Sequence, residues 1–248
     1  MNFTIVSYDL VDSTNTEALK QAKLGAGEGV CIVARRQTAG RGRHGRTWVS
    51  EKDAGLYFSI ILKPKFEAKF LPLVTLMAAV ATHDTLVDLG IEPDIKWVND
   101  ILVNEKKIAG ILAETTETAD GVAVIVGIGI NLRSVSFPPE IASRATSIEN
   151  ETAAEVTSEA LSERLAENLV RSYDVLIGPD GPTNIREEWR RRSSYFSGRS
   201  VRVATGSQTV TGLTDGLEDN GALRVRQEDG TVAIIQTGDV ERLRTEAD

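Results

Sequence analysis

Nine residues, Gly40-Arg41-Gly42-Arg43-His44-Gly45-Arg46-Thr47-Trp48, combine three glycines, three arginines and one of the chain's three tryptophans. Arginine carries a permanent planar charge that grips a carboxylate or phosphate through two parallel hydrogen bonds. Glycine lets the backbone take positive φ and approach a ligand closely. Together they describe a flexible loop built to close over an anion; a basic surface turn is the plainer reading. The flanks favour the first. Val30-Cys31-Ile32-Val33-Ala34 before the loop and Leu56-Tyr57-Phe58-Ser59-Ile60-Ile61-Leu62 after it both read as buried strands. The loop then hangs between two strands of one sheet, where function concentrates.

Two further stretches offer partners for an anion. Asp94 to Val103 reads as a strand interrupted by polar residues, Asn104-Glu105-Lys106 as a turn, and Lys107 to Glu114 as a second strand. In strand periodicity Lys96 and Asp100 point one way, Trp97 and Ile101 the other. That is either a surface ion pair of little worth or a polar floor for a charged substrate. In Val122 to Asn131 the even positions are Val122, Val124, Val126, Ile128 and Ile130, a solid core face. The odd positions pass from Ala123 and Ile125 to Gly127, Gly129 and Asn131. Glycine in a strand marks a close approach by a ligand or by another element, and both readings stand.

These strands need a frame. Residues 3–6 suggest a strand, and Asp12-Ser13-Thr14-Asn15-Thr16-Glu17 opens a helix with capping-box spacing between Thr14 and Glu17, stopped by Gly25. The hydroxyls of Ser13 and Thr14 serve as caps or as ligand donors. Phe70 to Leu89 is an apolar helix ended by Gly90, with His83 in a surface or core role. Residues 133–150 are irregular around Pro138-Pro139. A long amphipathic helix runs from Thr157 to Leu176, and after Gly178-Pro179-Asp180-Gly181-Pro182 a second spans Ile185 to Tyr195, with Arg190, Arg191 and Arg192 as a solvated face. From Phe196 onward short alternating segments are separated by the hairpin signals Asp219-Asn220-Gly221 and Glu228-Asp229-Gly230. A small antiparallel barrel is expected there, dividing the chain into residues 1–196 and 197–248.

Composition narrows the functions. The 248 residues, 41% apolar and 26% charged, are ordinary for a globular protein. A net charge of −8 argues against a general binder of nucleic acid or anionic membrane. It leaves room for an anionic substrate, because exposed charges beyond about 8 Å are largely screened. The single cysteine, Cys31, reads as a buried structural thiol, and two histidines without a cysteine cluster give no zinc site. No signal peptide is evident and no window reaches the ~20 apolar residues of a membrane span, so a cytoplasmic location is expected. The nucleotide-hydrolase phosphate loop, the dinucleotide fingerprint and the Gly-x-Ser-x-Gly elbow are all missing. What remains is an anion site made of side chains: Arg41, Arg43 and Arg46 above, with Lys96, Asp100, Lys107 and Asn131 below.

In these residues the chain resembles the biotin protein ligases. The Gly40–Trp48 loop is similar to that family's signature. Asp12-Ser13-Thr14-Asn15, Lys96-Trp97-Val98-Asn99-Asp100, Lys107-Ile108-Ala109-Gly110-Ile111-Leu112, Gly127-Ile128-Gly129-Ile130-Asn131 and Gly238-Asp239-Val240-Glu241-Arg242-Leu243-Arg244 follow in the family's order. The resemblance covers essentially the whole chain. Val98 stands where the family usually has proline, a change of local stiffness more than of chemistry. The implied fold is α+β: a mixed β-sheet with flanking helices, like the class II aminoacyl-tRNA synthetases, plus a small C-terminal SH3-like barrel.

The implied reaction has two steps. Biotin's carboxylate attacks the α-phosphate of ATP, giving biotinyl-adenylate and pyrophosphate; a lysine of a biotin carboxyl carrier domain then takes the acyl group and releases AMP. The resemblance assigns Ser13, Thr14 and Gln37 to the ureido ring, and Gly40 and Arg41 to the biotin end of the loop. Trp48 becomes a pocket wall, and Gly110, Ile111, Gly127 and Gly129 line the biotin slot. Arg43 and Arg46 hold phosphates; Lys96, Asn99, Asp100 and Asn131 serve ATP and its magnesium, with Arg244 as a further ATP contact. Lys107 lies against the reacting carboxylate, and Asp100 is placed to steer or deprotonate the incoming amine. Elementary electrostatics agrees, since two repelling anions react only where cations are already in place. An edge of the main sheet is open to the carrier or to a second copy, making a homodimer. A lipoate ligase shares the adenylate strategy, although the Gly-Arg loop followed by Trp48 speaks against it. A biotin-sensing repressor would need a DNA-binding helix pair ahead of Ser13, where about a dozen residues stand. A nucleic-acid reader would need aromatic platforms, and aromatics are 5% here.

Overall fold

The computed structural model describes residues 1–206 and 208–242, apart from the side chain of Ser136. Apolar runs of strand length build a seven-stranded sheet: β1 (Thr4–Tyr8), β2 (Val30–Ala34), β3 (Gly55–Leu62), β4 (Asp94–Lys96), β5 (Asp100–Val103), β6 (Lys106–Thr118) and β7 (Gly121–Asn131). The order is β1-β2-β3-β7-β6-β5-β4, with β1 and β2 parallel and every other neighbour antiparallel.

All eight residues of β3 are buried, because both faces of the sheet are covered. Leu56, Phe58, Ile60 and Leu62 join the large core beneath α2 (Leu73–Val87). Ile61 packs on the other side with Ala18 and Ala22 of α1 (Thr14–Lys23) and with Ala123 and Ile125 of β7. The even positions of β7 from Val124 to Ile130 face the large core as the alternation predicts, whereas Val122 at the strand's start is exposed. Two short helices, α3 (Pro139–Ala142) and α4 (Ile148–Glu151), order the stretch read as irregular. Beyond them α5 (Ser158–Ile177) and α6 (Gly181–Arg191) pack on α2. Thr157 caps α5 by accepting from the Ala160 N–H.

A second, five-stranded antiparallel sheet follows: β8 (Ser197–Thr205), β9 (Gln208–Leu217), β10 (Leu223–Arg226), β11 (Val232–Ile235) and β12 (Asp239–Arg242), ordered β11-β10-β9-β8-β12. Its inner residues Val201, Val203, Leu223, Val225, Ile235 and Val240 are continuous with the main core. The Trp97 indole N–H donates to the Gly221 carbonyl at 3.0 Å, pinning the second sheet to the first.

Four expectations are corrected. Asp94 to Val103 is not one strand: the chain reverses at residues 97–99, so Lys96 and Asp100 face each other across an antiparallel pair. The Trp97–Val98 peptide is cis. Thr14 does not cap its helix; Ser13 is the N-cap residue, and the Thr14 hydroxyl is taken up by Gln37 and Ser59. Arg192 is not solvated like Arg190 and Arg191. It clamps Asp84 of α2 through Nε at 2.6 Å and Nη2 at 2.9 Å, because α6 lies along α2. Finally, Ala68–Val87 does reach the length and mean hydropathy (1.5) of a membrane span. With 61% of it buried, it is apolar because it carries the core between sheet and outer helices.

Candidate active site

The arginine-rich loop joins β2 to β3, as its flanks imply, and is itself a small hairpin. Arg41 pairs with Thr47, the Gly42 N–H donates to the Arg46 carbonyl at 2.7 Å, and the Trp48 N–H donates to the Gly40 carbonyl at 2.9 Å. His44 (φ 55°) and Gly45 (φ 73°) make the left-handed tip. Under this hairpin lies a cavity of about 140 Å³. Its floor is the central part of β6 and β7, one end is the N-terminus of α1, and Asp239 of β12 closes the other side. Ser13, Thr14, Gln37, Arg41, Arg43, Arg46, Trp48, Asn99, Asp100, Lys107, Gly110, Ile111, Gly127 and Gly129 all line it, although they come from six segments of the chain.

One end is uncharged and rigid. Gln37 Oε1 accepts from the Thr14 backbone N–H at 2.7 Å and from its hydroxyl at 3.2 Å, while Gln37 Nε2 donates to Ser50 Oγ at 2.8 Å. Ser59 Oγ bridges Thr14 Oγ1 at 2.8 Å and Asn15 Oδ1 at 2.7 Å. Thr14 and Asn15 of α1 are 4% and 3% exposed and Ser59 of β3 is fully buried, so these side chains are held by their hydrogen bonds without help from solvent.

The other end is cationic. Lys107 Nζ lies 2.6 Å from Asp100 Oδ1 and 5.4 Å from the centre of the Trp48 ring; Lys96 Nζ stands 4.0 Å from the other Asp100 oxygen. Arg43 spans from Asn99 Oδ1 (3.2 Å) to Thr237 Oγ1 (2.8 Å) and the Gly238 carbonyl (3.3 Å). Arg46 is paired with Asp239. Burial pushes the Arg43 guanidinium below its ordinary pKa, against the pull of Asp239 and Asp100, with Arg46 adding to the depression. Burial likewise lowers Lys96, partly offset by Asp100.

The glycines of the floor are occupied by side chains. A Cβ at Gly129 would meet the Trp48 indole at 2.4 Å, one at Gly127 would meet Asn15 Oδ1 at 2.1 Å, and one at Gly110 would meet Lys107 Cε and Nζ at 3.0 Å. The packing reading therefore holds at Gly127, which seats a residue of α1, while Gly129 seats the Trp48 indole of the hairpin.

Four expected residues are not on the wall. Gly40 is packed under backbone, where a Cβ would strike the Trp48 carbonyl at 2.3 Å. Lys96 is directly opposite Asp100 across the β4–β5 pair, its Nζ 4.0 Å from an Asp100 oxygen, and only Asp100 of the two lines the cavity. Asn131 spends its amide on the carbonyls of Lys107 (3.3 Å) and Thr146 (2.9 Å), tying β7 to the segment before α4. Arg244 lies outside the described residues. Sequence reasoning gave no role to Asn15, Tyr57, Phe58, Leu112 or Asp239, which also line the cavity. Asn15 and Asp239 lay inside the quoted motifs, and Leu112 follows Gly110 at strand period.

The fold and the cavity have counterparts among known proteins. The chain belongs to the biotin/lipoate A/B protein ligase family, matching it over residues 7–131, and it matches the biotin protein ligase C-terminal domain over residues 196–243. Among its relatives is the biotin–[acetyl-CoA-carboxylase] ligase of Paracoccus denitrificans, 36% identical over 232 residues that cover 90% of this chain and 94% of that protein. The bifunctional ligase/repressor BirA of Bacillus spizizenii is 35% identical over 241 residues, 96% of this chain and 73% of that one. The biotin protein ligase of Aquifex aeolicus, solved in complex with biotin and ATP, superposes with a TM-score of 0.82 at 29% identity, covering 98% of this chain and 99% of that one.

Proposed function

We propose that the cavity under the hairpin activates biotin with ATP and passes the acyl group to a lysine of a biotin carboxyl carrier domain. One observation carries this reading: a single cavity has an uncharged hydrogen-bonding end at Thr14 and Gln37, a Trp48 wall, and a cationic end at Lys107, Arg43 and Arg46. Biotin has the same polarity, with a neutral ureido head, an apolar middle and a carboxylate tail. A carboxylate oxygen attacks the α-phosphorus, the bond to the pyrophosphate oxygen breaks, and pyrophosphate leaves with its electrons. Lys107 screens the carboxylate, while Arg43 and Arg46 hold the phosphates. Charge-assisted hydrogen bonds are worth about 1.5–3 kcal/mol each, so a few such contacts offset the repulsion of two anions.

The mixed anhydride is labile in water. The hairpin covers it, excluding solvent from the acyl carbon. In the second step the carrier amine attacks that carbon, the bond to the AMP oxygen breaks, and Asp100 takes the amine proton. Magnesium travels with ATP in this chemistry. Asp100, Asn99 and Asp239 at the cavity suit an ion held mostly by phosphates and water, which is how magnesium is ordinarily bound. No group of three histidine, cysteine, aspartate or glutamate side chains that could hold a metal occurs among the described residues, so phosphate and water would supply most of the ion's ligands. Asp100 would hold the ion, which adds positive charge at the phosphates.

The test is isotope exchange between pyrophosphate and ATP with biotin and lipoate side by side. Exchange dependent on biotin is expected. Exchange dependent on lipoate instead would move the chain to the other branch of its family.

A further inference from the structure

We propose that Glu114 is a positioning residue that fixes the biotin end of the cavity, a reading that rests on the function proposed above. Nothing in its sequence neighbourhood marks it. On β6, Gly110, Leu112 and Glu114 share one face by strand period, and the first two line the cavity. One carboxylate oxygen, Glu114 Oε2, accepts from Arg41 Nη2 at 2.8 Å and from Asn15 Nδ2 at 2.8 Å. It therefore ties the first arginine of the hairpin and the first turn of α1 to the same strand.

Each bond has a consequence at the cavity. Asn15 Nδ2 is shared between Glu114 and the Leu112 carbonyl (3.2 Å), while Oδ1 receives Ser59 and sits over Gly127. The carboxylate thus decides which way the Asn15 amide faces, and through Ser59 it orients the Thr14 hydroxyl. The pair with Arg41 neutralises that guanidinium and turns it toward the sheet. The end that takes an uncharged ureido ring then carries no free cation, and the attraction for a carboxylate is concentrated at Lys107, Arg43 and Arg46. Without Glu114, Arg41 becomes a second anchor for biotin's carboxylate at the wrong end.

Pyrophosphate exchange measured against biotin and against ATP tests this with wild type, Glu114→Gln, Arg41→Gln and the double variant. The pair is partly exposed, so the expected rise in biotin KM is about five- to tenfold in Glu114→Gln, with kcat and the ATP KM within about twofold of wild type. The double variant is expected to be no worse than the poorer single one, because the two side chains act as a unit. Equal changes in both KM values, an unchanged biotin KM, or multiplying effects in the double variant would each overturn the assignment. Should Glu114→Gln fail to fold, as read by thermal melting, Glu114→Asp keeps the charge on a shorter arm and carries the same comparison. A wild type with no biotin-dependent exchange overturns the functional reading itself, whereas exchange with an unaltered biotin KM in Glu114→Gln removes only the positioning role.

Discussion

Replacing Gly129 with alanine asks whether the glycines of β7 exist to seat Trp48. The new Cβ would meet Trp48 Cε2 at 2.4 Å, Nε1 at 2.6 Å and Cζ2 at 2.7 Å. Carbon atoms in contact sit ~3.5–4.0 Å apart, so the indole has to retreat by about 1 Å. It has the freedom to do so: Trp48 lies at the root of the hairpin, half-buried, and its indole N–H has no hydrogen-bond partner among the described residues to lose. Folding stability should therefore fall by less than about 1 kcal/mol, short of the 1–3 kcal/mol typical of an overpacked core. Catalysis should suffer more, because a misplacement of about 1 Å at a reacting site costs as much as ~100-fold. Biotin-dependent pyrophosphate exchange reads that loss. Intrinsic fluorescence reads the displacement, since Trp97 and Trp189 are 2% and 0% exposed and leave Trp48 as the movable indole. Gly127→Ala is the control. There the Cβ would strike Asn15, which Ser59, Leu112 and Glu114 hold in place, so the strain goes into stability, by about 1–3 kcal/mol. A Gly129→Ala protein with wild-type exchange and an unchanged emission spectrum would refute the reasoning. So would one that loses as much stability as Gly127→Ala.

Two other outcomes follow from the same geometry. Lys107→Ala leaves Asp100 with Lys96 at 4.0 Å and with Arg43 as neighbouring cations and removes the charge beside the reacting carboxylate; adenylation should slow by about 10–100-fold in single-turnover kinetics while ATP affinity changes less, and equal losses in both would deny Lys107 its role. Burial pushes the Cys31 thiol from 9.0 up to about 12, so the native protein should resist alkylation at pH 8 and label only on unfolding. Its raised pKa makes stability complete below pH 9.0 and progressively lost as pH climbs from there toward 12, because the unfolded thiol ionises first; a flat stability profile above pH 9.0 would contradict the burial.

Local pattern carried much of this protein. Strand β2 runs from Val30 to Ala34 as its composition suggests, and α5 starts at the Thr157 cap and ends at Gly178, both visible as residue types. The hairpin's place between two buried strands was legible too, since its flanks are continuous apolar runs. Asp94 to Val103 was misread as one strand because the reversal at residues 97–99 carries neither glycine nor proline. The one-face placement of Lys96 and Asp100 survives it, since residues directly opposed across an antiparallel pair project to the same face. Thr14 was misread for a different reason. Its spacing to Glu17 suits a cap, but Gln37 and Ser59 from two other strands' surroundings compete for the same hydroxyl and win.

By themselves the residues along the chain determined which chemistry was available: how many guanidinium groups the β2–β3 hairpin holds, and which positions of β7 carry no side chain. Those properties are local, set by residue type and by a period of two. Only the folded arrangement decided how the cations are shared out. Arg41 is taken by Glu114, 73 positions away, at one end of the cavity, while Arg46 meets Asp239, 193 positions away, and stands with Lys107 and Arg43 at the other. An ion pair depends on separation and burial, and spacing along the backbone encodes neither for groups so far apart.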